Sequence, residues 1–203
     1  MKSIVDTIVD KKLRIQTAGR DDYYEDEYHH AYEPTPYVVL QKLVESGYIS
    51  KENTVIDYGC GKGRVDFYLA SQIGCRSIGI EYDERMYSAS LINMKTYTGK
   101  NRPVFICITA ENYEIEEADC FYFFNPFSVE ILQSVLGRIL DSYYDNPRRM
   151  KLFFYYPDIE YIAYLMIKDE LMFVDEINCE NLFDNSNCRE KILVFEIGGC
   201  GYN

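Results

Sequence analysis

Asp57, Gly59, Gly61 and Gly63, followed one short apolar run later by Glu81, are the residues whose types and spacing can do chemistry. The apolar pair Val55-Ile56 ends in Asp57, and three glycines follow at every second position. The segment Val65-Asp66-Phe67-Tyr68-Leu69-Ala70 is then compatible with a helix. Glycines at a strand-to-helix turn let the backbone bend tightly and let a ligand lie against bare amides. A second apolar run, Ser77-Ile78-Gly79-Ile80, ends in Glu81. An acid about 20 residues beyond such a turn is where a ribose hydroxyl pair is gripped. A glycine-rich turn by itself also fits an ordinary βα connection. Strand, glycines, helix, strand and acid in this order predict a nucleoside site.

The spacing narrows the nucleoside. Dinucleotide folds use G-x-G-x-x-G with the pyrophosphate seated on the helix N-terminus. Here the spacing is G-x-G-x-G, and Arg64 stands where the third glycine belongs. Asp57 just before the turn would repel a pyrophosphate and attract an ammonium. A ligand with an amino acid at one end and a ribose at the other suits both acids, and S-adenosylmethionine is such a ligand. Asp57 is expected to meet its amino group, the backbone from Gly59 through Cys60 and Gly61 to Gly63 its amino-acid portion, and Glu81 its ribose.

Asp57-x-Gly59-x-Gly61-x-Gly63 resembles the first motif of the class I S-adenosylmethionine-dependent methyltransferases, and Glu81 resembles the acid that ends their second strand. The resemblance covers about Thr54 to Pro157 and extends loosely over the whole chain. It implies the cofactor and a Rossmann-like fold, with Tyr82, Ala110 and Glu111 beside the nucleoside. It leaves the acceptor open. The family often carries an Asp just after the third strand; here the segment reads Ile108-Thr109-Ala110-Glu111, which leaves the adenine contact to Glu111 or a backbone amide. The loop Phe123-Phe124-Asn125-Pro126-Phe127-Ser128 resembles the Asn-Pro-Pro-aromatic motif of amino methyltransferases, with one proline in place of two. By that resemblance Asn125 and the Pro126 carbonyl accept from the acceptor amine, Phe127 packs beside it, and Asn125 also borders the cofactor. Two acceptors can hold a nitrogen lone pair along the sulfur–methyl axis. The competing reading makes Asn125 the cap and Pro126 the first residue of the next helix. Tyr155 and Tyr156 end the fifth strand, where they either line the acceptor pocket or pack the strand end. Methyl transfer from a sulfonium is intrinsically downhill, so a strong acid–base constellation is not required.

The elements that must position these residues alternate. A helical stripe at Ile4, Val5, Ile8, Val9 and Leu13 opens the chain, and a second helix follows Pro34-Thr35-Pro36 and stops at Gly47. Strands are predicted at Thr54 to Asp57, Ser77 to Glu81, Pro103 to Ile108, Asp119 to Phe124 and Lys151 to Tyr156. The intervening helices run from Gly63 to Ile73, Asp83 to Tyr97, Val129 to Tyr143 and Asp158 to Lys168. Phe173 to Asn178 and Lys191 to Ile197 flank a polar loop, as a closing hairpin would. The expectation is a Rossmann-like, doubly wound α/β fold: a mostly parallel seven-stranded sheet with a C-terminal antiparallel hairpin and N-terminal helices. One domain is expected over residues 1–203, with 1–50 a helical or lid segment and 51–203 the catalytic core. Within the first part, Tyr28 to Thr35 is placed to fold over the cofactor. His29 and His30 are the only histidines, and a surface pair is favoured over a base or a metal site.

With 203 residues and 47% hydrophobic content, the chain can bury a sizeable core. Its apolar runs are too short to span a membrane, and its first residues do not read as a secretory signal. A cytoplasmic setting, reduced thiols and no metal are expected, since the seven cysteines are scattered without a C-x-x-C. The net charge of −12 disfavours nucleic acid as a partner and leaves a nitrogen or oxygen of a small molecule or protein as the expected methyl acceptor. Two alternatives remain: an S-adenosylmethionine-binding protein without catalysis, and an NAD-dependent oxidoreductase, which Asp57 and Arg64 argue against.

Overall fold

A computed structural model describes residues 4–21, 32–184 and 187–198. Two helices come first, α1 (Ile4–Leu13) and α2 (Tyr37–Glu45). The alternation then follows: β1 (Thr54–Tyr58), α3 (Arg64–Gln72), β2 (Arg76–Glu81), α4 (Glu84–Thr96), β3 (Val104–Cys107), β4 (Cys120–Phe123), α5 (Val129–Asp145), β5 (Met150–Tyr155) and α6 (Ile159–Met166). The hairpin strands β6 (Met172–Asn178) and β7 (Lys191–Ile197) end the described chain. Two single 3-10 turns, Ala110–Asn112 and Glu180–Leu182, are additions the periodicity did not predict.

The seven strands form one sheet in the order β3-β2-β1-β4-β5-β7-β6. β1 to β5 pair in parallel, and β7 lies antiparallel between β5 and β6. The strand order reverses between β1 and β4, which places a crevice at their carboxyl ends. This is the doubly wound α/β arrangement with the closing hairpin that the sequence predicts.

Strand alternation sorts the core into two layers. Ile56, Phe121, Phe123, Leu152 and Phe154 face α5 and α6, whose Leu132, Val135, Leu136, Ile139 and Leu165 recur at helical spacing. Val55, Tyr122, Phe153 and Tyr155 face α2 and α3, against Leu40, Leu43, Val65 and Leu69. Asp57 falls two residues after Val55 and therefore points to the α3 side. A smaller apolar group, with Phe67, Phe105, Cys60 and Leu13, packs behind the glycine turn.

The N-terminal helix departs from its predicted stripe. Ile4 and Ile8 are 79% and 60% exposed, and the buried positions of α1 are Asp10 and Leu13. Asp10 is buried because it is well partnered: Thr17 donates to it through its backbone N–H and its hydroxyl, and Tyr37 Oη donates at 2.6 Å. Leu13 and the half-buried Val9 supply the apolar contact of α1, and polar bonds from Tyr37 to Asp6 and Asp10 tie it to α2.

Candidate functional site

A cavity of about 460 Å³ opens at the carboxyl ends of β1 and β4, within the size range of small-molecule sites. Its walls gather Asp57, Gly59, Cys60, Glu81, Tyr82, Ala110, Glu111, Asn125, Pro126 and Phe127. Gly61 and Gly63 do not reach it. The Tyr32 ring lies where a Cβ on Gly61 would stand, and Gly63 packs against Phe105 and Phe67. These two glycines shape the turn and its cover.

The turn's amides are paired within the fold. Gly59 and Cys60 both donate to the Ile80 carbonyl, at 2.9 and 3.0 Å, and Gly63 donates to Cys60 at 2.8 Å. Gly61 donates to Glu81 Oε2 at 2.8 Å, while Asp83 N–H donates to Glu81 Oε1 at 2.9 Å. The expectation that a ligand meets bare amides here is therefore corrected: the turn offers a flat surface, and no N–H of these four residues is left to cradle a phosphate. Each Glu81 oxygen keeps acceptor capacity for a hydroxyl. Burial raises the Glu81 pKa, and the two backbone N–H groups oppose that shift.

Asp57 has a partner the sequence reading did not pair with it. Asp66, in the first turn of α3, is fully buried beneath it. The two carboxyls lie close enough to shift each other's titration, and Oδ2 of each is buried without a hydrogen-bond partner among the described residues. The other Asp66 oxygen accepts from Ser77 Oγ at 2.7 Å. Burial first, and then each other's charge, push Asp57 well above the usual carboxylate range; burial pushes Asp66 up to about 7. Two carboxyls in contact share one proton, so the pair presents one negative charge beside the turn. An acid inside the otherwise apolar stretch Val65 to Ala70 was the only sequence signal for it.

Arg64, in the place of a third glycine, is buried and faces the N-terminal segment. Its Nε donates to Thr17 Oγ1 at 2.7 Å and its Nη1 to the Thr35 carbonyl at 3.2 Å. It pairs with Asp6 at 3.3 Å and lies 4.5 Å from the Tyr37 ring centroid. Tyr32 covers the glycine turn, donates to the Thr17 carbonyl and takes Lys62 over its ring. Asp21 and Tyr32 exchange two backbone bonds. Tyr32, Glu33, Pro34 and Thr35, the described part of the expected lid, thus line the cavity. His29 and His30 lie outside the described residues.

On the far wall, Asn125 does not cap α5. The residue before that helix is Ser128. Instead the Asn125 amide donates to the Tyr156 carbonyl at 2.6 Å and accepts from Asp158 N–H at 3.3 Å. Both Asn125 and Tyr156 have positive φ, 40° and 50°. Such conformations persist where surrounding bonds hold them, and they gather at functional loops. Pro126 packs on Gly59, where an added Cβ would come within 2.5 Å of it at a φ of +73°. Phe127 is buried against Tyr58 and Phe123, and its carbonyl accepts from Tyr161 Oη at 2.6 Å.

Phe124, Tyr155 and Tyr156 continue this wall together with Phe183, Arg189 and Glu190 from the hairpin. Tyr155 Oη donates to Glu190 Oε2 at 2.6 Å. The hairpin residues were not predicted. They are far away in sequence, and only the placement of β7 beside β5 brings them here. Among the described residues no group of His, Cys, Asp and Glu could hold a metal ion, and no helix is long and apolar enough to cross a membrane.

No protein-family model matches the chain. A histone-lysine N-methyltransferase, H3 lysine-79 specific, from Dictyostelium discoideum is 33% identical over 88 residues, which is 43% of this chain and 4% of that protein. A protein-lysine N-methyltransferase from Saccharolobus islandicus is 29% identical over 68 residues, 33% of this chain and 42% of that one. The chain thus spans less than half the length of either curated relative. The tRNA (uracil-54, C5)-methyltransferase of Pyrococcus abyssi, solved with S-adenosyl-L-homocysteine, superposes with a TM-score of 0.59 at 13% identity, over 86% of this chain and 45% of that one. A putative rRNA methylase from Clostridium thermocellum gives 0.59 at 14% identity, over 82% and 100%. The fold is that of the S-adenosylmethionine-dependent methyltransferases. These RNA-directed neighbours overturn the expectation that a charge of −12 disfavours nucleic acid. Net charge sums the whole chain, whereas an acceptor meets one face of it.

Proposed function

We propose that the chain is an S-adenosylmethionine-dependent methyltransferase whose acceptor atom is a nitrogen of a protein or small molecule. The carrying observation is the cavity that joins the Glu81-tied glycine turn to the Asn125-Pro126-Phe127 loop. The bound cofactor would supply an electrophilic methyl on a sulfonium. Glu81 accepts from the ribose hydroxyls, and the shared charge of Asp57 and Asp66 balances the ammonium of the amino-acid end. Gly59 and Cys60 form the floor, while Tyr82, Ala110 and Glu111 border the base. The internally paired turn favours this ligand over a dinucleotide, which needs free amides at its pyrophosphate. Asn125 and Pro126 border the acceptor, with Phe127 holding their loop to the core. The names of both sequence relatives, lysine N-methyltransferases, support nitrogen over oxygen. In this reading residues 51–203 are the catalytic core and the segment before them is its cover. A cytoplasmic setting completes the proposal, supported by unpaired thiols at the six described cysteines.

Calorimetry with S-adenosylmethionine, S-adenosylhomocysteine and NAD tests the cofactor. The first two are expected to bind and NAD not, and Glu81→Ala should lose about 1.5–3 kcal/mol of that binding. Binding of NAD alone would overturn the reading. Transfer of a labelled methyl group to protein, RNA and small-molecule fractions then separates the acceptors. Label in protein or amine fractions is expected; label in RNA alone would refute a protein or small-molecule acceptor, and none at all would favour binding without catalysis.

A further inference from the structure

The far wall of the cavity has a chemistry of its own. Phe124, Tyr155 and Tyr156 form a cluster of mutually tilted rings, with centroids 4.7 Å apart for Phe124–Tyr155, 6.4 Å for Phe124–Tyr156 and 6.0 Å for Tyr155–Tyr156. The interplanar angles are 54°, 76° and 57°. Tyr155 is 2% exposed, and its hydroxyl is fixed on the Glu190 carboxylate. Tilted rings beside a carboxylate suit an alkylammonium, whose charge is drawn to ring faces and to the acid while its methylenes pack on the rings.

The charges around Glu190 point the same way. Glu33, from the segment before α2, faces it as a like charge, and Arg189 faces it as an opposite one. Arg189, however, is engaged elsewhere: it pairs with Asp158, donates to the Tyr156 carbonyl at 3.3 Å and stacks over the Tyr156 ring at 4.2 Å. That stack shows a cation already held by one ring of the cluster. Burial raises the Glu190 carboxyl and the Tyr155 hydroxyl bond opposes the shift. A bound cation would relieve both the burial and the repulsion from Glu33.

We infer that Glu190, held by Tyr155 and flanked by Phe124 and Tyr156, forms the seat on which the lysine-like end of the methyl acceptor docks as a protonated alkylamine. That amine must release its proton to solvent before its nitrogen lone pair can take the methyl. The seat adjoins Asn125, whose amide ties the Tyr156 backbone in place. The inference rests on the methyltransferase reading above and adds to it the residues that recognise the acceptor. It also assigns the hairpin a task. Glu190 reaches the cavity only because β7 is inserted beside β5, where Tyr155 pairs with Ile192.

The test is calorimetry of the full chain with two probes. One is S-adenosylhomocysteine. The other is sinefungin, the analogue carrying a protonated amine where the methyl-bearing sulfonium stands. The wild type should prefer sinefungin. Glu190→Gln should reduce that preference by about tenfold and leave S-adenosylhomocysteine affinity within about twofold. Tyr155→Phe, which keeps the ring but frees the carboxylate, should reduce it less. An unchanged preference in Glu190→Gln, with S-adenosylhomocysteine still bound, would overturn the seat. Failure of the wild type to bind S-adenosylhomocysteine would overturn the cofactor reading instead. Equal thermal midpoints for Glu190→Gln and wild type exclude misfolding as the cause of a loss.

Discussion

At the scale of single residues, Asp57 and Asp66 set the electrostatics under the glycine turn. Both carboxyls are buried, and among the described residues no cation is set against either, so they hold a proton that free carboxyls would release at neutral pH. The folded chain therefore binds more protons here than the unfolded chain. Stability from this pair is greatest below the unfolded carboxylate pKa of about 3.9 and is lost as pH rises through the folded value of about 7 at Asp66. The slope for one such group is about 1.4 kcal/mol per pH unit in that window. Asp66→Asn keeps the shape and can donate to Asp57 while accepting from Ser77. Urea denaturation at a series of pH values should show this decline in the wild type and a flatter curve in Asp66→Asn. Identical slopes would mean that the pair does not hold the extra proton.

At the scale of elements, the site is a contact between two loops, those leaving β1 and β4. Gly59 has a φ of +73° and lies against the Pro126 ring. Gly59→Ala adds left-handed strain and a methyl group at a place already filled, at a cost of about 1–3 kcal/mol. Displacement of Pro126 would also open the joint, so S-adenosylhomocysteine affinity should fall together with the denaturation midpoint. A loss of stability with unchanged affinity would show that the joint does not shape the cofactor floor. The β1 side of this joint was legible in the sequence, because glycine spacing and strand-end acids are local signals. The β4 side was legible only in part. Asn125 was singled out, but its bonds to Tyr156 and Asp158 cross from one loop to another, and no local pattern encodes them. Glu190 and Arg189 were invisible for the same reason. The helices and strands themselves were readable from their periodicity, with ends moved by a residue or a few where the caps fall elsewhere. The exception was α1, whose apolar stripe is buried at Leu13 and half-buried at Val9, while Ile4 and Ile8 are exposed and Asp10 is buried instead.

At the scale of the whole molecule, Arg64 joins the N-terminal segment to the sheet. A doubly wound sheet leaves its crevice open at the strand ends, and here Tyr32 to Pro36 lie over it. Their hold depends on a guanidinium from α3 that gathers Asp6 of α1, Thr17 after it and Thr35 before α2. In a dinucleotide-binding turn, a third glycine at this position would allow close helix–strand packing. Here the long side chain turns away from the sheet and fastens the cover. Removing it leaves Asp6 without this cation and the Thr17 hydroxyl and Thr35 carbonyl without this donor. Because Asp6 keeps some exposure, the loss for Arg64→Met should fall at the lower end of that for broken buried pairs, about 3 kcal/mol. Loss of this anchor should also be local before it is global. Limited proteolysis of Arg64→Met should cut within the first 50 residues under conditions where the sheet stays intact, and S-adenosylhomocysteine should protect against that cutting, because a ligand that binds only the covered state stabilises the cover by mass action. If cutting instead begins throughout the chain at once, the N-terminal segment and the sheet unfold as one unit, and Arg64 is a core residue rather than the fastening of a cover.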